Sequence, residues 1–332
     1  MIPLSVPHIS GNEWQYIKEC LDTGWVSSIG KYVDAFESAI CGYTGVKYAV
    51  ASTNGTAALQ IALKLVGVLP DDEVIVPTVT FIAPVNAVHF TGARPVFMDC
   101  DQYYNIDVNK TVEFIKQETI FKNGYKINKT TNSRIPAIIP VHIFGNAVDL
   151  EPLVSICKER NIKIVEDAAE SLGTHYINGN LNGRHTGTVG DIGCYSFNGN
   201  KIITSGGGGM IVTNNESLAE RAKYLTTQAK DDPLRYIHNE IGYNFRLTNI
   251  QAAMGVAQLE KLSEFIKTKQ HNFQKYKNKI DDIPGLHIAE VPDYAINNCW
   301  MYALQIKKET YGNNRDELMN DLVDSGIQAR PV

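Results

Sequence analysis

A single lysine among glycines and small polar residues is the first feature of this chain with chemical potential. From Gly190 to Met210 the chain reads G-D-I-G-C-Y-S-F-N-G-N-K-I-I-T-S-G-G-G-G-M. Lys201 follows a strand-like run, Ile192 to Phe197, and precedes four consecutive glycines. Its neighbours Ser196, Asn198 and Asn200 form hydrogen bonds readily, and the glycines let a ligand or a second backbone come close. This setting suits an amine that must reach a carbonyl carbon and form a Schiff base. A loop lysine is ordinarily just solvated, so the assignment depends on what accompanies it.

Four other constellations do. In T-N-G-T-A-A-L, Thr53 to Leu59, a strand gives way to a helix at a glycine. Free N–H groups at such a helix start attract a phosphate, although Asn54 or Thr56 could equally be a simple helix cap. In I-V-E-D-A-A-E, Ile164 to Glu170, Asp167 falls at the carboxyl end of an expected parallel strand. Ligands of open α/β sheets bind there, and a carboxylate can hold a ring nitrogen protonated; a helix cap or a surface charge is the equal alternative. In G-Y-N-F-R-L-T-N, Gly242 to Asn249, Asn244 and Arg246 suit an anion or merely precede a helix. In P-T-V-T-F-I-A, Pro77 to Ala83, Phe81 could stack on a planar ligand or belong to the core. His142 reads as a satisfied core residue, and His8, His175 and His185 lack metal-ligand spacing.

The elements that must position these residues alternate. Strands are expected at Lys47 to Ala51, Glu73 to Val76, Pro95 to Asp99, Ala137 to Val141 and Ile162 to Glu166. Helices are expected at Thr56 to Val68, Phe81 to Phe90 and Leu150 to Arg160. That order predicts a mostly parallel sheet with helices on both faces. Trp14, Ile17 and Leu21 share the face of an earlier helix that Gly24 can end. Tyr176 to Arg184 resembles an inserted hairpin. Thr248 to about Ile283 reads as one long helix or two, with Ala252, Val256, Leu259, Leu262 and Ile266 on one side. Strand-like Leu286 to Ala289 and Trp300 to Ile306 follow, then a helix from Arg315 to Asp324 and a short run from Ile327 to Arg330.

Composition narrows the function classes. The 332 residues are 44% hydrophobic and 20% charged, enough for a large core and two domains. A net charge of -5 leaves no basic footprint for nucleic acid. Cys20, Cys41, Cys100, Cys157, Cys194 and Cys299 are scattered without a C-x-x-C pair, which argues against a zinc site or disulfide framework and fits a reducing cytoplasm. No signal peptide and no membrane-spanning run is expected.

In order along the chain come a phosphate turn, an aromatic, a strand-end aspartate and a lysine in a glycine-rich loop. In that order, and in S-F-N-G-N-K, E-D-A-A-E-S-L-G and G-Y-N-F-R-L-T-N-I-Q-A-A, the chain resembles the sugar aminotransferases of the DegT/DnrJ/EryC1/StrS family. The resemblance extends from L-S-V-P-H-I to Q-A-R-P-V. It looks closest to the branch that aminates UDP-linked 4-keto-6-deoxy-N-acetylhexosamines, as in legionaminic acid or bacillosamine synthesis; the similar GDP-sugar branch of perosamine type stays open. The resemblance implies fold type I with pyridoxal 5′-phosphate, a large domain over residues 1–245 and a smaller α+β domain over 246–332. Members usually continue several dozen residues past A-R-P, so that second domain is expected to be short.

The resemblance also implies roles. Lys201 bonds to the cofactor and shuttles a proton to the sugar C4, and Asp167 pairs with the ring nitrogen. Gly55, Thr56, Ala57 and Ser196 hold the phosphate, with Asn244 reaching it from the neighbouring subunit of a homodimer. Phe81 lies against the ring. Glu170 stands where many relatives carry glutamine or histidine near the phenolic oxygen. L-glutamate would load the cofactor and a nucleotide-linked keto sugar would take the amine, in ping-pong order. A sugar dehydratase of the same fold is the rival enzyme, but such relatives replace the lysine with histidine. A shortened, cofactor-binding pseudo-enzyme is the non-enzymatic rival.

Overall fold

The computed structural model describes residues 1–122, 124–232 and 234–332. Its centre is a seven-stranded sheet. In spatial order the strands are Tyr48–Ser52, Gly209–Thr213, Ile192–Ser196, Lys163–Asp167, Ala137–Ile138, Glu73–Pro77 and Arg94–Met98. Gly209–Thr213 runs antiparallel to both of its neighbours, and the other pairings are parallel. This is the mostly parallel α/β sheet of fold type I.

The strands are apolar on both faces because helices cover both faces. On one side Val50, Cys194 and Ile211 pack under the helix Gly55–Leu65 through Ala58, Leu59 and Ala62. On the other side Ala49, Tyr195, Met210 and Val212 meet Phe36, Ile40, Ala252 and Ala253. Adjacent residues of one strand thus belong to opposite clusters, as the two-residue strand period requires. Phe36 sits against Gly255, where a Cβ atom would come within 2.7 Å of its ring.

The helix at Leu150–Arg160 and the last helix, Arg315–Asp324, have the expected bounds. The long helical region is two helices, Asn249–Glu260 and Leu262–Ile280. The first packs on Glu13–Thr23 and Lys31–Thr44, and Ile2 forms a bridge with Ile327, so the two ends of the chain interleave. The helix Glu13–Thr23 ends at Gly24 as expected, but Trp14 and Leu21 are 77% and 57% exposed. Its buried side carries Glu13 and Cys20. Glu13 is satisfied there by the Gly11 N–H and by Gln258. At the expected hairpin, Tyr176 and Arg184 do bond, but the regular strand partner of His175–Tyr176 is Ala295–Ile296. Of Trp300 to Ile306 only Leu304–Ile306 is strand, paired with Leu286–Ile288.

A Cβ atom on Gly193, in the strand that leads to Lys201, would overlap the backbone carbonyl of Gly187. A methyl group there has no room, and backbone must move to admit it. Gly193→Ala should lower the unfolding free energy by about 2–3 kcal/mol. An unchanged urea midpoint would show that the Gly187 loop can yield.

Candidate active site

The parallel strands deliver their carboxyl ends to one edge of the sheet. Asp167 and Ser196 are the last residues of their strands, and the turn after Tyr48–Ser52 leads to Gly55. These three meet Thr56, Phe81, Glu170 and Lys201 in one cleft. Seven of the nine candidate residues therefore come together; Ala57 and Asn244 do not.

The turn at Asn54 explains the first absence. The Asn54 Oδ1 accepts the Ala57 N–H at 2.8 Å, capping the helix Gly55–Leu65. Ala57 is buried behind the turn with its N–H already engaged. The N–H groups of Gly55 and Thr56 take no partner among the described residues and stand at the positive end of the helix. Close packing requires the glycines: a Cβ at Gly55 would lie 2.9 Å from that of Ser196, and one at Gly209 would lie 2.5 Å from the Asn54 backbone. Asn244 lies on the exposed surface, its Oδ1 accepting from Arg246 Nε at 3.1 Å and its backbone bridged to Thr227.

Among the described residues the Asp167 carboxylate accepts a single hydrogen bond, from the Ala169 N–H at 3.0 Å. Burial pushes its pKa up to about 6; the Ala169 N–H opposes this, the Glu170 charge adds to it, and Lys201 pulls it back. The next residue inward is treated differently. Glu166 accepts the N–H groups of Gly187, Val189 and Gly190 at 2.7, 2.7 and 2.6 Å. His142 Nε2 lies 3.0 Å from it, while His142 Nδ1 accepts the Val148 N–H at 3.0 Å. The ring proton is thereby assigned to Nε2, which donates to Glu166. His142 is the satisfied core histidine expected of it.

Lys201 sits on a loop turned by its N–H bond to the Asn198 carbonyl at 3.1 Å. Its Nζ lies 3.6 Å from Glu170 Oε1 and 4.4 Å from the centroid of the Trp300 ring. The other Glu170 oxygen, Oε2, accepts the Phe144 N–H at 2.8 Å. Phe81, just before the helix Ile82–Phe90, leaves its ring 71% exposed at the cleft. Trp300 and Asn54 line the cleft without having been identified from sequence. Asn54 was visible as a cap. Trp300 carried one signal, an indole N–H that must find a partner in a short apolar run.

The Asp167 environment generates a prediction for the cofactor-free protein. Its carboxyl has the ordinary aspartate pKa of 3.8 when the chain is unfolded and about 6 when folded. The folded state holds the extra proton between those values, so this contribution to stability is complete below pH 4 and is lost as pH rises through 6. Asp167→Asn, which carries no charge at any pH, should be more stable than wild type above pH 6 by up to about 3 kcal/mol. That advantage should shrink toward pH 4 in urea unfolding series. A difference that does not vary with pH would refute the buried-carboxyl account.

The DegT/DnrJ/EryC1/StrS aminotransferase family model matches residues 7–332. A GDP-perosamine synthase of Caulobacter vibrioides is 38% identical over 336 residues, covering 100% of this chain and 84% of that one. A GDP-perosamine synthase of Escherichia coli O157:H7 is 40% identical over 331 residues with the same coverages. A solved GDP-4-keto-6-deoxymannose-3-dehydratase with a trapped PLP-glutamate geminal diamine superimposes at TM-score 0.87. It is 26% identical, and the match covers 100% of this chain and 86% of that one. The cofactor of these aminotransferases is pyridoxal 5′-phosphate. With Lys201, Asp167 and the Gly55 turn gathered in one cleft and the match running almost end to end, the chain belongs to the DegT/DnrJ/EryC1/StrS aminotransferase family.

Proposed function

We propose that this enzyme moves an amino group from L-glutamate to C4 of a nucleotide-linked 4-keto-6-deoxy sugar. The observation that carries the reading is the Lys201 amine held in the same cleft as the strand-end carboxylate of Asp167. The names of the two relatives favour a GDP-linked sugar over the UDP-linked N-acetylhexosamine suggested by the sequence motifs. Lys201 also speaks against the dehydratase reading.

The donor set fits pyridoxal phosphate. The unpartnered N–H groups of Gly55 and Thr56, with the Ser196 hydroxyl, match a phosphate, and the under-bonded Asp167 matches a protonated ring nitrogen. When bound, the cofactor supplies an aldehyde carbon and an electron-accepting ring. Lys201 Nζ is the amine within the cleft that can attack a carbonyl, and once free it can carry a proton to the carbon that receives the new amine. Asp167 keeps its proton partner charged, and the cation in turn draws the aspartate back to its ionised form. Glu170 is the counter-ion that holds Lys201 before reaction. Phe81 offers a face for the ring.

We assign the enzyme to a homodimer with shared sites in the cytoplasm. Asn244 is exposed and does not line its own cleft, and the exposed rings of Trp14 and Trp25 are apolar surface that a second copy can cover. No helix among the described residues is long and apolar enough to cross a membrane.

The purified enzyme should be yellow, bleach with L-glutamate, and aminate one member of a panel of GDP-, UDP- and dTDP-linked 4-keto sugars, with product NMR locating the nitrogen. Lys201→Ala should lose both the colour and turnover; a variant that kept both would end this reading. Shared sites are tested by refolding Lys201→Ala together with Asn244→Asp, each inactive alone. Mixed dimers have one site with both defects and one with neither, so roughly a quarter of wild-type activity should return. No recovery would place Asn244 in its own subunit's site, and an active Asn244→Asp would remove it from phosphate binding altogether.

A further inference from the structure

The lysine stem is long and flexible, and the loop that bears Lys201 has no regular structure from Asn198 to Gly208. Its amine is nonetheless bracketed, by Glu170 Oε1 at 3.6 Å and by the Trp300 ring at 4.4 Å. Trp300 also donates its indole N–H to the carbonyl of Asn200 at 2.6 Å, directly before the lysine. It thus holds the loop and the end of the side chain at once. Trp300 is itself anchored: its backbone N–H donates to Asn298 Oδ1 at 2.9 Å. The Asn298 amide donates in turn to the carbonyls of Glu170 and Leu172 at 2.9 and 3.0 Å, and the Asn298 N–H to Thr174 Oγ1 at 3.0 Å. One fully buried asparagine therefore sets the positions of both groups that flank the amine.

We infer that Trp300 is a positioning residue for Lys201, presenting the amine to an incoming aldehyde with its ring face while its indole N–H pins the loop. This rests on the reading of Lys201 as the amine that attacks the cofactor. Nothing in that reading itself calls for a tryptophan here, and an alkyl side chain could fill the same volume.

The test separates binding of the cofactor from capture by the lysine. Cofactor-free protein is mixed with pyridoxal 5′-phosphate, and the bond to Lys201 is followed by absorbance and by borohydride reduction with mass spectrometry of the lysine peptide. Affinity for pyridoxamine 5′-phosphate, which lacks the aldehyde, is measured in parallel. Trp300→Met, which keeps apolar bulk without a ring face, should slow capture roughly tenfold. Its pyridoxamine phosphate affinity should stay within about twofold of wild type, and Trp300→Phe should fall about threefold below wild type because the ring face remains. Capture at the wild-type rate in both variants overturns the proposal. So does a loss of pyridoxamine phosphate affinity that matches the loss of capture rate, because that is the behaviour of a packing residue. If Trp300→Met fails to fold, the phenylalanine variant decides by the same two measurements. If wild-type protein forms no reducible bond at Lys201, the underlying reading of the lysine fails, and this proposal with it.

Discussion

Much of the site depends on the buried carboxylate of Glu166. A charge removed from water is costly unless its lone pairs are filled. Here three backbone N–H groups and one imidazole N–H fill them. The bonds draw the loop Gly187–Gly190 against the strand and hold it there, and the loop can come so close because Gly193 has no side chain. His142 extends the same network to the Val148 N–H, beyond the neighbouring strand. Because successive side chains of a strand point to opposite faces, saturating Glu166 on the inner side leaves Asp167 facing the cleft. One strand end thus carries a carboxylate with a full set of partners and, beside it, one with a single partner. The first gives rigidity and the second is left available for chemistry.

Much of this was legible in the sequence. Apolar runs of strand length separated by helical periodicity gave the layered sheet, since burial on both faces leaves no other pattern. The strand ends then gave the cleft, because an open parallel sheet gathers its carboxyl termini at one edge. Asp167 was found that way; Gly55 was marked by its strand-to-helix turn and Lys201 by the small polar residues and glycines around it, while the phosphate role of Ser196 came from the family resemblance. The strand Gly209–Thr213 was missed because its opening glycine continues a glycine run that reads as loop, and the helix Lys31–Thr44 carried no motif to draw attention. Trp14 and Leu21 share a helix face by periodicity, yet both are exposed and Glu13 is on the inner side. Bonds from Gly11 and Gln258 outweigh the usual preference, and no local rule contains them.

Ala57 and Trp300 mark the limit within the site. Motif reading grouped Ala57 with its neighbours, but an N–H serves one strong acceptor at a time and Asn54 takes this one. Trp300 reaches the lysine loop across 100 residues of chain through a bond to a main-chain carbonyl, which any residue at position 200 would supply. A contact of that kind leaves no pairwise mark in sequence, because one partner has no side-chain identity.

The lone antiparallel strand has a consequence for how the protein is made. Gly209–Thr213 pairs with Tyr48–Ser52 across most of the large sheet's sequence, and its glycine packs against the Asn54 turn. On the ribosome, the first strand and its turn emerge early but have no strand to pair with until residue 213 has been synthesised, and Trp300 arrives later still. Pairings this far apart close slowly, and the loop closure must precede any gain from the contact. A nascent chain interrupted before that point has its Asn54 turn and Asp167 strand but no assembled cleft. Cofactor capture thus becomes a late event of biosynthesis, and a chain that has acquired its cofactor has already completed the most distant pairing in its sheet.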